Sequence, residues 1–319
     1  MKMAKATITT AGIDTAKSKL DIAIHRQSRR WQVKNDLAGW QALAEALTKA
    51  GVERVGIEAT GAYERGVVAH LRKAGFTVLV LQPAQVKAYA RFRLRRAKND
   101  AIDAALIAAC TANLDKPLVE PDDRLTQLAD LLTFIEQIEE DITRWKVRLE
   151  HIHEPRLREL VGGDIARLKA MRAAELDTIA DALRAHQDLA RRLELVLSIP
   201  GIGLRTAIAL IVRMPELGQV SREEIAALAG LAPYDNDSGK HKGKRHIAGG
   251  RDRVRRSLYA AALAAAFRWN PHLKDIYKRL IARGKPHKLA LVACARKLLI
   301  FANAVTKRQK PWCLKINQT

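Results

Sequence analysis

Four carboxylates carry the first chemical signal. Asp14 closes a β-like run in Gly-Ile-Asp-Thr-Ala-Lys, and Glu58 closes another in Gly-Ile-Glu-Ala-Thr-Gly. Strand ends form a rigid rim, so side chains there are held at fixed spacing. Asp100 and Asp103, in Lys-Asn-Asp-Ala-Ile-Asp-Ala, are three residues apart at a helix start, which puts both on one helical face. Converging on one sheet edge, the four would make an oxygen-only donor set of the kind that holds Mg2+. In two-metal sites of this kind, ions about 4 Å apart clamp the attacking and leaving oxygens of a phosphodiester. A lone strand-end or helix-start aspartate is more often a cap or a solvated charge. The four in this order weigh more, and the glycines before Asp14 and Glu58 would let another backbone approach closely.

A second signal is a serine in a basic tract. Ala232-Pro233-Tyr234-Asp235-Asn236-Asp237-Ser238-Gly239 is followed at once by Lys240, Lys242, Lys244, Arg245, Arg251, Arg253, Arg255 and Arg256. Serine beside glycine is ordinarily a turn residue. At the mouth of such a tract it is also a candidate nucleophile. Attack by its hydroxyl on a phosphodiester needs cations around the transition state and leaves a phosphoserine ester that keeps the bond energy for rejoining. The plainer reading, a loop that only holds phosphates, stays open for most of these cations. Upstream, Leu197-Ser198-Ile199-Pro200-Gly201-Ile202-Gly203 before Thr206-Ala207-Ile208-Ala209-Leu210 has the form of a helix-hairpin-helix. The Gly201-x-Gly203 turn would offer backbone amides at a helix N-terminus to a DNA phosphate, without reading sequence. An ordinary tight turn between helices is the alternative.

The whole-chain charge agrees with a polyanionic partner. The 319 residues hold 56 Lys and Arg against 34 Asp and Glu, a formal net charge of +22. The amino-terminal residues show neither an apolar run long enough for a signal peptide nor a Lys-rich amphipathic helix, so a cytoplasmic, nucleoid-associated protein is expected. The apolar stretch Leu289 to Val305, interrupted by Arg296 and Lys297, reads as a core helix too short for a membrane span. Cys110, Cys294 and Cys313 are far apart and read as buried small apolar residues rather than a disulfide framework or zinc site.

The elements that must position these groups are set by periodicity. TITTAGIDT, LDIAIHR and WQVKN read as a three-strand meander. Leu37 to Ala50 closed by Gly51, VERVGIEA, Tyr63 to Ala74 closed by Gly75, and TVLVLQ stopped by Pro83 then read as helix, strand, helix, strand, with the next helix from near Asn99. The result is a mixed α/β sheet. Beyond Pro121, Leu128, Leu132, Ile135, Ile138, Ile142, Trp145, Leu149 and Ile152, and then Leu176, Ile179, Leu183, His186, Leu193 and Leu197, recur at threes and fours. They predict two arms of a helical hairpin broken at Val161-Gly162-Gly163-Asp164. From about Leu195 the chain reads as helical around a basic loop between Pro233 and Arg253. The expected division is 1–118 for the sheet domain, 119–195 for a coiled-coil linker and 196–319 for the domain with the hairpin motif and serine loop.

Taken together, Gly-Ile-Asp-Thr-Ala-Lys, Glu-Ala-Thr-Gly-Ala-Tyr, Lys-Asn-Asp-Ala-Ile-Asp-Ala, Ile-Pro-Gly-Ile-Gly, Ala-Gly-Leu-Ala-Pro and Asp-Ser-Gly resemble the DEDD transposases of bacterial insertion sequences over nearly the whole chain. The resemblance implies an RNase H/RuvC-like fold followed by a helical transposase domain. It also implies Mg2+ ligation by Asp14, Glu58, Asp100 and Asp103, and Ser238 as the nucleophile. It further implies a structured bridge RNA pairing with donor and target DNA, and a tetramer with active sites shared between protomers. Guide pairing would suit a basic surface with no obvious base-reading helix. Two rivals remain: a RuvC-like metal-dependent nuclease using water, and a nucleic-acid binder that retains the fold without cleaving.

Overall fold

A computed structural model describes residues 8–59, 61–93, 100–114, 122–234, 243 and 245–313, with only the backbone described at 84 and 100–102. The chain forms two compact units, residues 1–117 and 118–319.

The first unit is built on a five-stranded sheet of order β3-β2-β1-β4-β5, comprising β1 (Thr10–Thr15), β2 (Lys19–Ile24), β3 (Arg30–Lys34), β4 (Arg54–Glu58) and β5 (Thr77–Leu81). β1 pairs antiparallel with β2 and parallel with β4, and β4 pairs parallel with β5. This is a mixed sheet, as the sequence predicts. Helices α1 (Leu37–Lys49), α2 (Arg65–Lys73), α3 (Pro83–Phe92) and α4 (Asp100–Ala112) cover it. Strand side chains alternate, so each face has its own content. Ile13, Ile22, Val55, Ile57 and Val78 pack with Leu43 and Leu47 of α1 and Val67 and Leu71 of α2. The opposite face carries Leu79 and Leu81, which pack with Val86 of α3 and Leu106, Ile107 and Cys110 of α4.

Helix α3 corrects the sequence reading, in which Pro83 only stopped a strand. Pro83 occupies the first turn of the helix, where the missing N–H costs nothing, and the Gln85 side chain accepts a hydrogen bond from the Gln82 N–H at 2.9 Å.

The second unit is helical: α5 (Asp123–Glu150), α6 (Pro155–Arg184), α7 (Gln187–Leu197), α8 (Leu204–Arg213), α9 (Arg222–Leu228), α10 (Asp252–Ala264), α11 (Pro271–Ala282) and α12 (His287–Arg308). A two-strand ribbon of β6 (Pro233–Tyr234) and β7 (His246–Ile247) accompanies them. The hairpin arms α5 and α6 pack through Ile138, Ile142, Val161 and Ile165. The break is not at Gly162-Gly163. It falls at residues 151–154, because Glu154 accepts from the Leu157 N–H at 2.7 Å, Pro155 starts α6, and Arg158 caps the end of α5 by donating to the carbonyls of Leu149 and Ile152. Gly162 and Gly163 sit in exposed helix interior, where a helix anchored by Val161 and Ile165 tolerates about 1 kcal/mol each. The second arm is itself interrupted at Ala185-His186, after which α7 begins.

Helix α12 is longer than the sequence suggested and, by length and composition alone, could cross a membrane. Leu291, Cys294, Ala295, Leu298, Leu299 and Ala302 are fully buried, so it is a core helix of this unit. Cys110 and Cys294 are buried as expected, and burial pushes the Cys294 thiol up to about 11; Cys313 is exposed, contrary to expectation.

Candidate functional site

In the first unit the sheet register brings the strand carboxylates to one edge. Gly12 pairs with Gly56 and Ile13 with Ile57, so Asp14 and Glu58 follow in step at the carboxyl ends of adjacent parallel strands. Alternation puts them on the same face as Gly12 and Gly56. That face is the one α4 covers. A Cβ on Gly12 would overlap the Ala108 nitrogen and the Ala104 carbonyl oxygen, and one on Gly56 would overlap the Thr111 hydroxyl. The two glycines are thus seats for the backbone of α4, and Thr111 is held there by donating to the Ile107 carbonyl at 2.7 Å. Asp103 precedes Ala104, in the segment of α4 seated on Gly12, and Asp100 opens the helix, its side chain lying outside the described residues. Asp14, Glu58 and Asp103 are all half-buried.

The seat gives a direct expectation. Gly12→Ala cannot be relieved by a side-chain rotation, because the overlap is with backbone, so it should cost about 2–3 kcal/mol of stability. Urea unfolding of the variant measures this, and a stability equal to the parent would show that α4 does not rest on β1 this closely.

A residue the sequence reading passed over is Asp21. It lies directly opposite Asp14 on β2 and is 5% exposed. Facing like charges destabilise a strand pair. Here Asp21 is held by the Gln32 amide, which donates to it, and by Lys19 at 3.1 Å. Its signal in the sequence was only the polar step of an alternating strand. Among the described residues no three His, Cys, Asp or Glu side chains form a group that could hold a metal. The donors along this edge are nonetheless carboxylate oxygens, the chemistry of a hard divalent cation.

In the second unit, the turn between α7 and α8 matches the helix-hairpin-helix reading, and its two glycines differ in role. Gly201 has φ of 99°, and a Cβ there would overlap Ala265, so this glycine admits a neighbouring helix. Gly203 caps α8 in extended conformation, is exposed, and has open space where a Cβ would be; its carbonyl accepts from Thr206 and Ala207, leaving the first amides of α8 directed outward. Of the two, Gly203 is the exposed one.

Ser238, Lys240, Lys242 and Lys244 lie outside the described residues. The ribbon that brackets them is described: Pro233 pairs with Ile247 and Tyr234 with His246. Its base is fixed by backbone packed on backbone, since a Cβ on Gly230 or Gly250 would strike the other's segment, and by Arg255, which donates to the Gly249 carbonyl at 2.6 Å. Arg251 donates to both oxygens of Glu216 at 2.7 and 2.6 Å, and Arg253 pairs with buried Glu136 of α5, which also binds Arg213 at 2.9 Å. These three arginines therefore brace the serine loop's surroundings with the same donors that the sequence reading offered to nucleic acid. Arg245 is exposed.

Two family models match the chain: a DEDD transposase of the IS110 type over residues 11–154, and a transposase of the IS116/IS110/IS902 family over residues 193–278. The chain belongs to the IS110-type transposases. This transposase is 27% identical to the pilin gene-inverting protein of Moraxella bovis and 28% identical to that of Moraxella lacunata, in each case over 97% of this chain and 99% of the relative. It is 35% identical to a 43.6 kDa protein of insertion element IS110 from Streptomyces coelicolor, over 31% of this chain and 25% of that one. Among solved structures, T. thermophilus RuvC in complex with a Holliday junction substrate matches 32% of this chain and 91% of its own, at 17% identity and a TM-score of 0.28.

Proposed function

We propose that this transposase cuts and rejoins DNA through a covalent serine intermediate, with Mg2+ held by Asp14, Glu58, Asp100 and Asp103. The observation that carries the reading is the seating of α4 on Gly12 and Gly56, on the sheet face where Asp14 and Glu58 end adjacent strands. A bound divalent cation there would polarise phosphoryl oxygens and neutralise developing charge. The carboxylates bind and orient; they are not placed to contact phosphate unaided, because like charge repels. Ser238 supplies the nucleophile. Its Oγ–P bond forms as the P–O bond to the departing sugar oxygen breaks; the hydroxyl proton passes to a base and the departing oxygen takes one up. Reversal on a different DNA end rejoins strands without ATP.

Inversion, the activity printed in the names of the Moraxella relatives, is the rearrangement that this cycle produces when the two sites lie in inverted orientation on one molecule. A bridge RNA that selects the two ends and a tetramer that brings them together complete the reading. The resemblance supplies both, and the charge of +22 is of the right sign for two nucleic-acid partners.

The deciding experiment is denaturing electrophoresis after incubation with labelled DNA, bridge RNA and Mg2+, with peptide mapping of any shifted band. A protein–DNA adduct supports the reading; cleavage with no adduct at any time supports hydrolysis by a RuvC-like nuclease. The lysines after the serine have a separate signature. Replacing Lys240, Lys242 and Lys244 with alanine should weaken binding to all DNA sequences alike and reduce the salt slope by about one unit for each phosphate left without its lysine. A changed sequence preference with an unchanged slope would mean that these side chains read bases.

A further inference from the structure

Helix α10 ends in a π-helical turn, Ala265–Trp269, where the Asn270 N–H bonds the Ala265 carbonyl at 2.9 Å, five residues back. One extra residue per turn rotates the next side chains away from the α10 core stripe, and such turns are frequent at functional sites. Here the turn is pinned. Ala265 fills the space left by Gly201, and the Asn270 side chain donates to the Pro200 carbonyl at 3.0 Å while capping α11 at Leu273. The rotation leaves Phe267 47% and Trp269 64% exposed.

Phe267 is not loose. Its ring meets Tyr277 of α11 edge-on at 5.0 Å and lies stacked with His287 of α12 at 6.4 Å, and Tyr277 Oη and His287 Nδ1 are hydrogen-bonded at 2.7 Å. Three rings thus form a packed cluster in which Phe267 stays about half exposed. Around it the segment 267–289 carries seven Lys and Arg against one acid, Asp275. Along the chain Arg268 separates Phe267 from Trp269, Lys274 and Lys278 stand within three residues of Tyr277 on α11, and Lys285 and Lys288 stand within two of His287. Among the described residues none of these cations is in an ion pair, unlike Arg251, Arg253 and Arg255.

We propose that this corner of the second unit is a stacking platform for unpaired DNA bases, with Phe267 and Trp269 as the stacking rings and the surrounding lysines and arginines holding the intervening phosphates. Fixed aromatic faces bordered by unpaired cations are what single strands recognise, since every base has a π-face and every nucleotide a charge. A second copy of the chain is the poorer occupant, because two such faces would bring like charge together. DNA is the nucleic acid expected from the family, which rearranges it, and rearrangement exposes unpaired bases. The inference does not depend on Ser238 or on the metal.

The test uses the full chain and fluorescence anisotropy with labelled oligo(dT), a duplex of equal length, and oligo(rU). Trp269→Ala and Phe267→Leu should each weaken oligo(dT) binding by on the order of tenfold while leaving the duplex within about twofold, and Trp269→Phe should restore most of the affinity. Oligo(dT) should also quench tryptophan fluorescence in the parent and markedly less in Trp269→Phe. Because Trp269 is largely solvent-facing, its alanine variant keeps the test valid should Phe267→Leu disturb the fold. The proposal is overturned by unchanged oligo(dT) binding in Trp269→Ala, by an equal weakening on duplex, by oligo(rU) binding more than tenfold tighter than oligo(dT), or by dimerisation of the parent that Trp269→Ala abolishes.

Discussion

Ser238→Ala should remove both the protein–DNA adduct and strand cleavage, lowering the rate by on the order of 10⁴-fold or more. Losing the nucleophile of a covalent mechanism is not a graded defect: the remaining groups can still bind DNA and polarise the phosphate, but nothing is left to form the ester. Ser238→Cys should keep a trace of cleavage, since a thiol attacks phosphorus less well than oxygen but occupies nearly the same space. Both variants should bind DNA as the parent does, because the hydroxyl is one polar group among many cations. The outcome separates two chemistries that share the carboxylates. Hydrolysis by activated water makes no use of that hydroxyl and predicts measurable nicking by Ser238→Ala. An adduct mapped to a different residue would also sink the assignment, while leaving a covalent mechanism standing.

The parts of this molecule that were legible in the sequence are those whose signals are local. The meander and the strand–helix units stand out because alternation and the closing glycines, Gly51 and Gly75, with φ of 64° and 93°, mark their ends. The glycines before Asp14 and Glu58 could be read as places of close approach, and α4 is what approaches. Proline and glycine misled where each has two uses. Pro83 can end a strand or open a helix, and the Gln82–Gln85 contact that decides between them is weak in sequence. Gly162-Gly163 has the composition of a turn, yet the long apolar stripe of α6 carries through it, while the true start, Glu154-Pro155, lies among charged residues that draw no notice.

The internal use of the basic residues was not legible at all. Arg253 meets Glu136 across 117 residues and Arg251 meets Glu216 across 35, and no spacing rule connects such pairs. A run of arginines therefore looks uniformly available in sequence, although structure divides it into those that brace the unit and those that face outward. The same division, applied to the α11–α12 corner, is what sets the unpaired cations there apart.

Asp14→Ala, Glu58→Ala and Asp103→Ala should each lower cleavage by about 10³-fold or more, with nucleic-acid binding largely kept. Each removes a hard oxygen donor worth several kcal/mol in the transition state, and none removes a phosphate contact. Asp21→Asn is the informative control. Asp21 pairs in register with Asp14 and shares its face, so a general electrostatic role for an acidic edge would make both substitutions harmful. Its carboxylate is already taken by Lys19 and the Gln32 amide, so a ligand role confined to the proposed set predicts that Asp21→Asn cleaves within about tenfold of the parent. Binding can be read apart from activity. A cation bound only by the folded chain raises its Tm by mass action, so Mg2+ should stabilise the parent and Asp21→Asn, and should do so much less in the three alanine variants. Ca2+, which accepts the same oxygens in a looser geometry, should give the thermal shift with little cleavage. If any of the three alanine variants recombined DNA at the parent's rate, the edge built on Gly12 and Gly56 would be a structural seam and the reacting phosphate would have to be sought elsewhere.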